Sequence, residues 1–446
     1  MNKSLILISC LLFFLNFFLR SQIFQGNKCL RFDFGKGEAK NGFVKVTCND
    51  IYNKNKGYGF IGNTKIESVV RRKDNNIESD YCISATPFYF IVDVPEGNYL
   101  VTVTLGDLKE ESITTIKGES RRLFFYKIIT KKGEIKKVKF SINVRTPIIG
   151  YKDSIKIKPR EKGYLNWDNK LTLEFSNQRP CICAVEIERI DNPIIQVFLA
   201  GNSTVTDQEK EPYSAWGQML SSFFDENIVV VNLAESGETM KSFENSGRLR
   251  KLLSMLNVGD YVFIQFGHND QKPGGNFLDA NTTYKEYLKK YIHIVKEKGG
   301  QPVLVSSMHR RTFDENGKIV NTHGRYLEAM KEVAIEEKVP FINLNEMSKS
   351  LYEALGVENS KLLFVHYPAN SFPGQTEPLS DNSHHSTYGA YQLAKCVIKG
   401  IIENNLPLKD YLRDKNFYYD PGNPDSYLNW DLPLSPVFDM IKPEGY

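Results

Sequence analysis

The second half of the chain alternates short apolar runs with stretches of helical periodicity, and this pattern limits the fold most strongly. Five runs are apolar almost throughout, as strands buried on both faces are: 194–200, 228–233, 261–266, 302–306 and 340–344. Five segments with a period near 3.6 are predicted as helices: 214–224, 242–256, 284–299, 323–337 and 386–404. The pattern therefore predicts a three-layer α/β/α domain with a parallel sheet over residues 194–405.

Residues 28–190 follow a different pattern. They contain short alternating runs separated by turn residues, such as 89–94 and 99–104 on either side of Pro-Glu-Gly-Asn, and almost no helical period. This predicts an antiparallel β-sandwich over 28–190. An Asp-Asn-Pro linker at 191–193 would join it to the second domain, so the chain is predicted to be multidomain.

Both ends of the chain are predicted to lie outside these two domains. Lys3 precedes a fifteen-residue apolar stretch at 5–19, which is short for a membrane span and is typical of a secretory signal peptide at 1–21. An uncleaved anchor is the alternative. We expect a secreted or periplasmic protein with no membrane span after signal removal. Residues 406–446 are rich in Pro, Asp and Tyr, and we expect an extended tail packed on the second domain.

Charge and cysteine content exclude several classes of protein. A net charge of +4 over 446 residues argues against nucleic acid as the main partner. The chain has no HExxH or CxxC motif, and Cys181 and Cys183 have no common zinc-ligand spacing, so we expect no metal site and no organic cofactor. The six cysteines outside the signal are too few for a disulfide framework, although one or two bridges in the first half are compatible with them.

Polar residues and a glycine follow three of the predicted parallel strands and precede the last helix. Ser203, Gly237 and Asn269 come just after strands, and Asp381 and His384 lie three apart at the predicted start of the last helix. The carboxyl ends of parallel strands meet at one edge of a sheet, where ligands bind. We therefore predict Ser203 as nucleophile, His384 as its base and Asp381 as the group that orients His384. The Ser203 and Gly237 N–H groups and the Asn269 amide are predicted oxyanion donors.

Each of these residues has an ordinary structural explanation, and the prediction depends on their joint occurrence in this order. Asp381 alone could cap a helix and Gly237 alone could make a turn. His385 could serve as the base by composition, but the Asp-x-x-His spacing favours His384.

Gly-Asn-Ser203, Gly237, Gly267-x-Asn269 and Asp381-x-x-His384 resemble the four sequence blocks of the SGNH (GDSL-type) hydrolases. The segments around them resemble the rhamnogalacturonan acetylesterases within that superfamily: 198–207, 234–237, 266–270, 308–311 and 384–390. Residues 28–190 resemble, more weakly, the galactose-binding-like jelly-roll domain that precedes some bacterial members. Asn202 departs from the family's usual aspartate, but that position is not part of the triad.

The resemblance implies a carbohydrate esterase that removes O-acetyl groups from rhamnogalacturonan, a pectin, through an acyl-enzyme and without a metal or cofactor. Arg310 and Arg311 would pair with galacturonate carboxylates, and His268 would line the cleft. One alternative is an esterase for another acetylated polysaccharide, such as xylan. A second is a non-catalytic polysaccharide-binding protein with an SGNH-like domain.

Overall fold

The computed structural model describes residues 28–443. The predicted signal peptide at 1–21 lies outside the described residues. Within 28–443, no helix is both long and apolar enough to cross a membrane. All six cysteines of this range are free, so the bridges that we considered for the first half are not formed there.

The first half is built from strands, as predicted. In chain order they are β1 (Cys29–Phe34), β2 (Val44–Val46), β3 (Tyr58–Ile61), β4 (Glu67–Val70), β5 (Asp80–Ile83), β6 (Phe88–Asp93), β7 (Gly97–Gly106), β8 (Ser112–Gly118), β9 (Arg122–Thr130), β10 (Ile135–Val144), β11 (Ile148–Gly150), β12 (Asp153–Ser154), β13 (Lys170–Ser176) and β14 (Cys181–Arg189).

These strands form two main sheets that pack into a sandwich. One sheet contains the order β10-β7-β14-β1-β2, with β5 paired to β14 and β4 paired to β5. The other sheet has the order β3-β6-β13-β8-β9. Every pair is antiparallel except β1 with β2, which is parallel. Apolar side chains from both sheets form one buried cluster, in which Phe32, Phe34 and Phe90 pack ring against ring. Burial of this shared apolar surface is what holds the two sheets together.

The second half has a five-stranded parallel sheet, also as predicted. Its strands are β15 (Ile195–Ala200), β16 (Ile228–Asn232), β17 (Tyr261–Ile264), β18 (Gln301–Val305) and β19 (Phe341–Ile342), in the order β16-β15-β17-β18-β19. The helices are α1 (Trp216–Leu220), α2 (Met240–Asn245), α3 (Arg248–Met255), α4 (Thr283–Glu297), α5 (Tyr326–Glu337), α6 (Leu344–Asn359) and α7 (Thr387–Glu403). A separate antiparallel hairpin pairs β20 (Phe364–Tyr367) with β21 (Leu379–His385).

Both faces of the parallel sheet are covered by helices. Val197 and Leu199 pack into one apolar cluster with α1, α6 and α7. Phe198 and Ala200 pack into the other cluster with α2 to α5. Alternate side chains of one strand thus enter opposite layers, and this is why residues 197–200 are all apolar.

The structure of the second half differs from the prediction in three places. The predicted helix 242–256 is two helices, because Gly247 takes a left-handed φ of 87° between α2 and α3. The helix α6 was not predicted, since its first residue was assigned to the strand 340–344. Residues 381–385 belong to β21 and not to the start of the last helix.

Buried charges and polar groups connect the two halves. Arg122 of β9 pairs with Asp207 at 3.1 Å, and both side chains are 0% exposed. Arg145 donates to the carbonyl oxygen of Asn232 at the end of β16, 2.5 Å away. Charges removed from water in this way are costly unless they are paired, so the two halves fix each other's position.

The C-terminal tail contacts both halves and not only the second domain on which we expected it to pack. Trp430 packs against Tyr126 of β9 with tilted rings whose centroids are 4.9 Å apart, and its indole N–H donates to Thr387 at the start of α7. Lys117 of β8 donates to Ser435 Oγ at 2.8 Å. The tail therefore crosses the boundary between the two halves.

Candidate active site

Ser203 lies in the turn that follows β15, at the carboxyl edge of the parallel sheet. The preceding residue, Asn202, is fully buried and organises this turn. Its carbonyl oxygen accepts the N–H groups of Val205 and Thr206, and its Oδ1 accepts the N–H and hydroxyl of Thr204. Within the described residues Nδ2 of Asn202 has no hydrogen-bond partner, and an aspartate at this position would offer the same acceptor oxygen.

His384 and Ser203 are 181 positions apart in sequence and meet at this edge. Nε2 of His384 lies 2.9 Å from Oγ of Ser203, and Nδ1 lies 2.8 Å from Oδ2 of Asp381. Tyr213 packs edge-on against the His384 ring, with centroids 5.9 Å apart. The structure thus brings together serine, imidazole and carboxylate in one hydrogen-bonded line.

The backbone that brings Asp381 and His384 together is a strand and not the helical turn that was predicted. The helix α7 begins at Thr387 after its N-cap Ser386, so placing Asp381 and His384 on its first turn was wrong. In the β20–β21 pairing, Phe364 faces His385 and the next residue, Val365, faces Asp381, so residues 382–384 bulge out of the ladder.

The Asp381 carboxylate closes this bulge. Its Oδ1 accepts the N–H groups of Ser383 at 2.8 Å and His384 at 3.0 Å, which is an Asx turn. The turn points the imidazole of His384 back at the second oxygen, Oδ2. A carboxylate with this spacing to the histidine is therefore both an orienting group for the ring and a structural part of the bulge.

Burial alone would raise the pKa of Asp381, which is about 4% exposed. The hydrogen bond and charge of the His384 ring and the His384 N–H act in the opposite direction. Together with Lys442, whose Nζ lies 3.6 Å from Oδ1, they lower the pKa of Asp381 to about 2. Asp381 is therefore ionised at neutral pH, which suits the orientation of an imidazolium.

His385 is not placed to act as the base. Its ring is fully buried against Phe364, and Nε2 lies 3.1 Å from the hydroxyl of Tyr352. Burial, followed by the charge of His384, lowers the pKa of His385 to about 3. The Asp-x-x-His spacing therefore selected the histidine that reaches Ser203.

The two predicted backbone donors, the N–H groups of Ser203 and Gly237, both lie in turns. Gly237 sits in a tight turn in which the N–H of Glu238 donates to the carbonyl of Glu235 at 3.2 Å. Among the hydrogen bonds formed within residues 28–443, none uses the N–H of Ser203 or of Gly237. Donors that are fixed and unused are what a developing negative charge requires.

Asn269 follows β17, and its side chain is held by the turn that contains Gly237. Its Nδ2 donates to the carbonyl of Glu238 at 3.1 Å, which links it to the turn of Gly237 and leaves its second amide hydrogen uncommitted to that bond. The loop itself is fixed by the next residue, Asp270, whose carboxylate accepts the N–H groups of Gly267 and Met240, each at 2.8 Å. Burial raises the pKa of Asp270 to about 6 in spite of these donors.

The predicted substrate-binding residues have different surroundings. His268 is buried and stacked on His323 at 4.4 Å, and burial together with His323, Arg310 and His384 lowers its pKa well below the usual range. Arg310 is half-buried and donates to the Thr322 carbonyl and hydroxyl and to the His268 carbonyl. Both residues therefore belong to the wall beside the triad.

Arg311 is directed at the protein. It donates to Ser360 Oγ, to the Val357 carbonyl and to Asn382 Oδ1, the last at 3.2 Å. A guanidinium engaged in this way does not fit the carboxylate-binding role predicted for Arg311. It supports the bulge that carries His384.

Two lysines near the triad were not predicted. Lys272 is half-buried beside the Asn269 loop, and its pKa is lowered by burial and then by Arg310 and Lys442. Lys442, from the C-terminal tail, reaches Asp381. Three cations therefore share the surroundings of the triad: Lys272, Arg310 and Lys442. Lys272 stands three positions after Asn269 and could have been noted, whereas nothing in the sequence indicated Lys442.

No group of three or more His, Cys, Asp or Glu side chains among the described residues is arranged to hold a metal ion. Independently of that observation, this edge of the sheet brings a hydroxyl, an imidazole and a carboxylate into hydrogen-bonding contact. Such a set can transfer an acyl group to water.

Two family models match the chain. The model of the GDSL-like Lipase/Acylhydrolase family matches residues 199–366. A model described as Beta-agarase/YXIM esterase-like, galactose-binding domain-like matches residues 30–148. The two matches fall on the parallel-sheet half and on the sandwich, respectively.

Individual proteins are also similar. Rhamnogalacturonan acetylesterase RhgT of Bacillus subtilis (strain 168) is 46% identical over 220 residues, which are 49% of this chain and 94% of RhgT. The uncharacterized esterase YxiM of the same organism is 26% identical over 387 residues, or 83% of this chain and 90% of YxiM. The crystal structure of YxiM matches with a TM-score of 0.45 at 25% identity and covers 85% of this chain and 99% of that one.

Fold, site and relatives together define a carboxylic ester hydrolase of the carbohydrate esterase class. The chain belongs to the SGNH (GDSL-type) hydrolase family, with a galactose-binding-like domain in front of the hydrolase domain.

Proposed function

We propose that this protein removes O-acetyl groups from rhamnogalacturonan with Ser203 as nucleophile. The observation that carries the proposal is the continuous line from Ser203 Oγ through His384 to Asp381, with hydrogen-bonding distances of 2.9 and 2.8 Å. A serine hydroxyl is a weak nucleophile, and an oriented imidazole within this reach is what activates it.

In the first step Oγ of Ser203 attacks the acetyl carbon while its proton passes to Nε2 of His384. The carbonyl oxygen becomes an oxyanion, which the Ser203 and Gly237 N–H groups and the Asn269 amide stabilise. The imidazolium, held by Asp381, then gives its proton to the departing sugar oxygen as the carbon–oxygen bond breaks. Acetyl-Ser203 and a free sugar hydroxyl result.

In the second step a water molecule takes the place of the sugar. His384 accepts a proton from it as it attacks the acetyl carbon, the same donors hold the oxyanion, and Ser203 leaves with the proton returned from His384. The products are acetate and the free enzyme. Every proton passes through one imidazole, and water is the group that accepts the acetyl.

Two facts support a pectic substrate over xylan. One relative with 46% identity carries the name rhamnogalacturonan acetylesterase. Lys272, Arg310 and Lys442 lie close enough together for the last two to lower the pKa of Lys272. Galacturonate brings one carboxylate per residue to such a site, whereas the xylose backbone is neutral, so cations favour the pectic chain.

We also propose the division of the chain and its destination. Residues 194–405 would be the catalytic domain, 28–190 the galactose-binding-like domain and 406–446 a tail that crosses both. The apolar stretch at 5–19 after Lys3 supports export by a signal peptide at 1–21. A polymeric substrate outside the cytoplasm is consistent with that destination.

Release of acetate from three substrates tests the proposal: acetylated rhamnogalacturonan, acetylated xylan and a chromogenic acetate. We expect the highest kcat/KM on rhamnogalacturonan, and a loss of all three activities in Ser203→Ala. A higher kcat/KM on acetylated xylan than on rhamnogalacturonan would support the alternative, an esterase for acetylated xylan. Equal acetate release by the wild type and Ser203→Ala would contradict the enzymatic proposal.

A further inference from the structure

The turn at residues 235–238 carries one of the proposed oxyanion donors. The N–H of Glu238 donates to the Glu235 carbonyl, and Gly237 has a φ of 80°, which at the third position of such a turn defines type II. A type II turn differs from type I by a half-rotation of its central peptide, here the one between Ser236 and Gly237. The direction of the Gly237 N–H therefore depends on which way that peptide faces.

Two cations from the sandwich half fix the direction of this peptide. The carbonyl oxygen of Ser236 accepts Nζ of Lys158 at 2.5 Å and Nη2 of Arg160 at 2.8 Å. In a planar trans peptide the C=O and the following N–H point in opposite directions. Holding the carbonyl of Ser236 against Lys158 and Arg160 thus turns the N–H of Gly237 away from the sandwich.

The cations also change the strength of the donor. Hydrogen bonds from charged groups to a carbonyl are stronger than neutral ones, and they polarise the peptide so that its N–H donates more strongly. The N–H of Gly237 makes no hydrogen bond within the described residues. Its enhanced donor strength is therefore available to a ligand.

The segment that presents Lys158 and Arg160 is itself rigid. Glu161, fully buried in the short helical turn Pro159–Gly163, accepts the N–H of Lys158 at 2.8 Å and pairs with Arg248 of α3 at 2.5 Å. Arg160 also pairs with Glu235 at 2.7 Å. The two cations are thereby anchored to the hydrolase half on both sides of the turn they hold.

We infer that Lys158 and Arg160 are positioning residues of the oxyanion hole, which the galactose-binding-like domain completes from across the domain boundary. This inference rests on the proposed acyl-transfer function. Without these two cations the central peptide is free to rotate to the type I arrangement, which withdraws the Gly237 N–H from the oxyanion.

Kinetics of Lys158→Met on the chromogenic acetate test the inference. Loss of a complete oxyanion donor lowers turnover about 10²–10³-fold, so a donor that is only loosened should cost about 10–100-fold in kcat with KM nearly unchanged. Affinity for a boronic acid that mimics the tetrahedral state should fall by the same factor. Arg160→Met should act in the same direction, and Arg160→Lys should recover part of the loss.

Lys162→Met is the matched control, because Lys162 is an exposed lysine of the same helical turn. It should keep wild-type kcat and KM. A Lys158→Met enzyme with unchanged kcat, or one that loses only thermal stability, would overturn the inference. A rise in KM with unchanged kcat would also overturn the inference, since it would indicate that Lys158 contacts the substrate.

An NMR measurement on the inactive Ser203→Ala protein separates this inference from the proposed function. The sequence contains two Ser-Gly peptides, 236–237 and 246–247. Isotope labels on serine carbonyl carbons and glycine nitrogens would select these two signals, of which Gly247 serves as an internal reference.

Adding Lys158→Met should shift the amide signal of Gly237 and leave that of Gly247 in place. An unmoved Gly237 signal would overturn the restraint by Lys158, whatever the activity of the enzyme. Conversely, a shifted signal in a protein whose wild type hydrolyses no acetyl ester would leave the restraint intact and remove the proposed function.

Discussion

Arg311 holds Asn382, the first residue of the bulge that brings Asp381 and His384 together. The N–H of Arg311 donates to the Asn382 carbonyl at 2.8 Å, and its Nη1 lies 3.2 Å from Asn382 Oδ1. The bulge has no ladder partner between Asp381 and His385, so these bonds replace the missing pairing. The arginine predicted to bind substrate instead shapes the catalytic strand.

Arg311→Met should therefore lower kcat with little change in KM. A displacement of about 1 Å in a catalytic group costs on the order of 10²-fold, and we expect about 10-fold or more for a bulge that is loosened but not lost. Steady-state kinetics on acetylated rhamnogalacturonan measure this. A pure rise in KM would restore Arg311 to the substrate-binding role predicted from the sequence.

Asp381→Asn should reduce kcat by about 10³–10⁴-fold with the fold intact. The amide keeps an oxygen for the N–H groups of Ser383 and His384, but it no longer holds the His384 ring in the required tautomer or stabilises its charged form. Kinetics on the chromogenic acetate and a melting curve check the two parts. A loss of less than 10-fold would mean that another group orients His384.

Lys442→Gln should raise KM for acetylated rhamnogalacturonan and leave KM for the neutral chromogenic acetate unchanged. Lys442 lies beside Asp381 and near Lys272, where a galacturonate carboxylate of the substrate would gain from its charge. The control is Lys298→Gln, an exposed lysine after α4 at the opposite edge of the sheet. An equal fall in kcat on both substrates would show that Lys442 acts through Asp381 and not on the polymer.

Asp270 makes stability depend on pH. Burial raises its pKa to about 6, above the value of about 4 in an unfolded chain, so folding takes up a proton between these pH values. Its contribution to stability is greatest below about pH 4 and falls as pH rises to about 6, by on the order of 1–3 kcal/mol. Above pH 6 the contribution is constant.

Urea unfolding from pH 4 to 7 measures this dependence. Asp270→Asn should lower the stability overall and flatten the slope between pH 4 and 6, whereas Asp410→Asn, an exposed control, should leave the slope unchanged. If stability in Asp270→Asn depended on pH as it does in the wild type, another group would be responsible for the proton uptake.

Most of the hydrolase fold was predictable because its strands are buried on both faces. The run at 228–233 and the observed strand Ile228–Asn232 differ by one residue, since residues 228–231 are uninterrupted apolar positions. The helix Leu344–Asn359 was missed for a local reason. A single polar residue, the N-cap Asn343, separates its start from the apolar pair Phe341–Ile342, so Leu344 also fits the pattern of the strand. Gly356 interrupts the helical period with a non-helical conformation.

The order of the triad residues in the sequence made them predictable. The backbone conformation that brings them together could not be predicted in this way. Three-residue spacing fits a helical turn, and only the pairing of Val365 with Asp381 shows that a bulged strand provides the same proximity. Contacts of Lys158 and Arg160 with Ser236 join positions about 75 residues apart across the two domains. No local pattern encodes such a contact, because surface lysines and arginines look alike in sequence.

The most direct test of the account is to locate the nucleophile by mass spectrometry after reaction with an organophosphate ester. We predict one phosphorylated peptide, the one that contains Ser203, with labelling slowed by Lys158→Met and absent in Ser203→Ala. A stable adduct on any other serine, formed at the same rate in Ser203→Ala, would contradict the account.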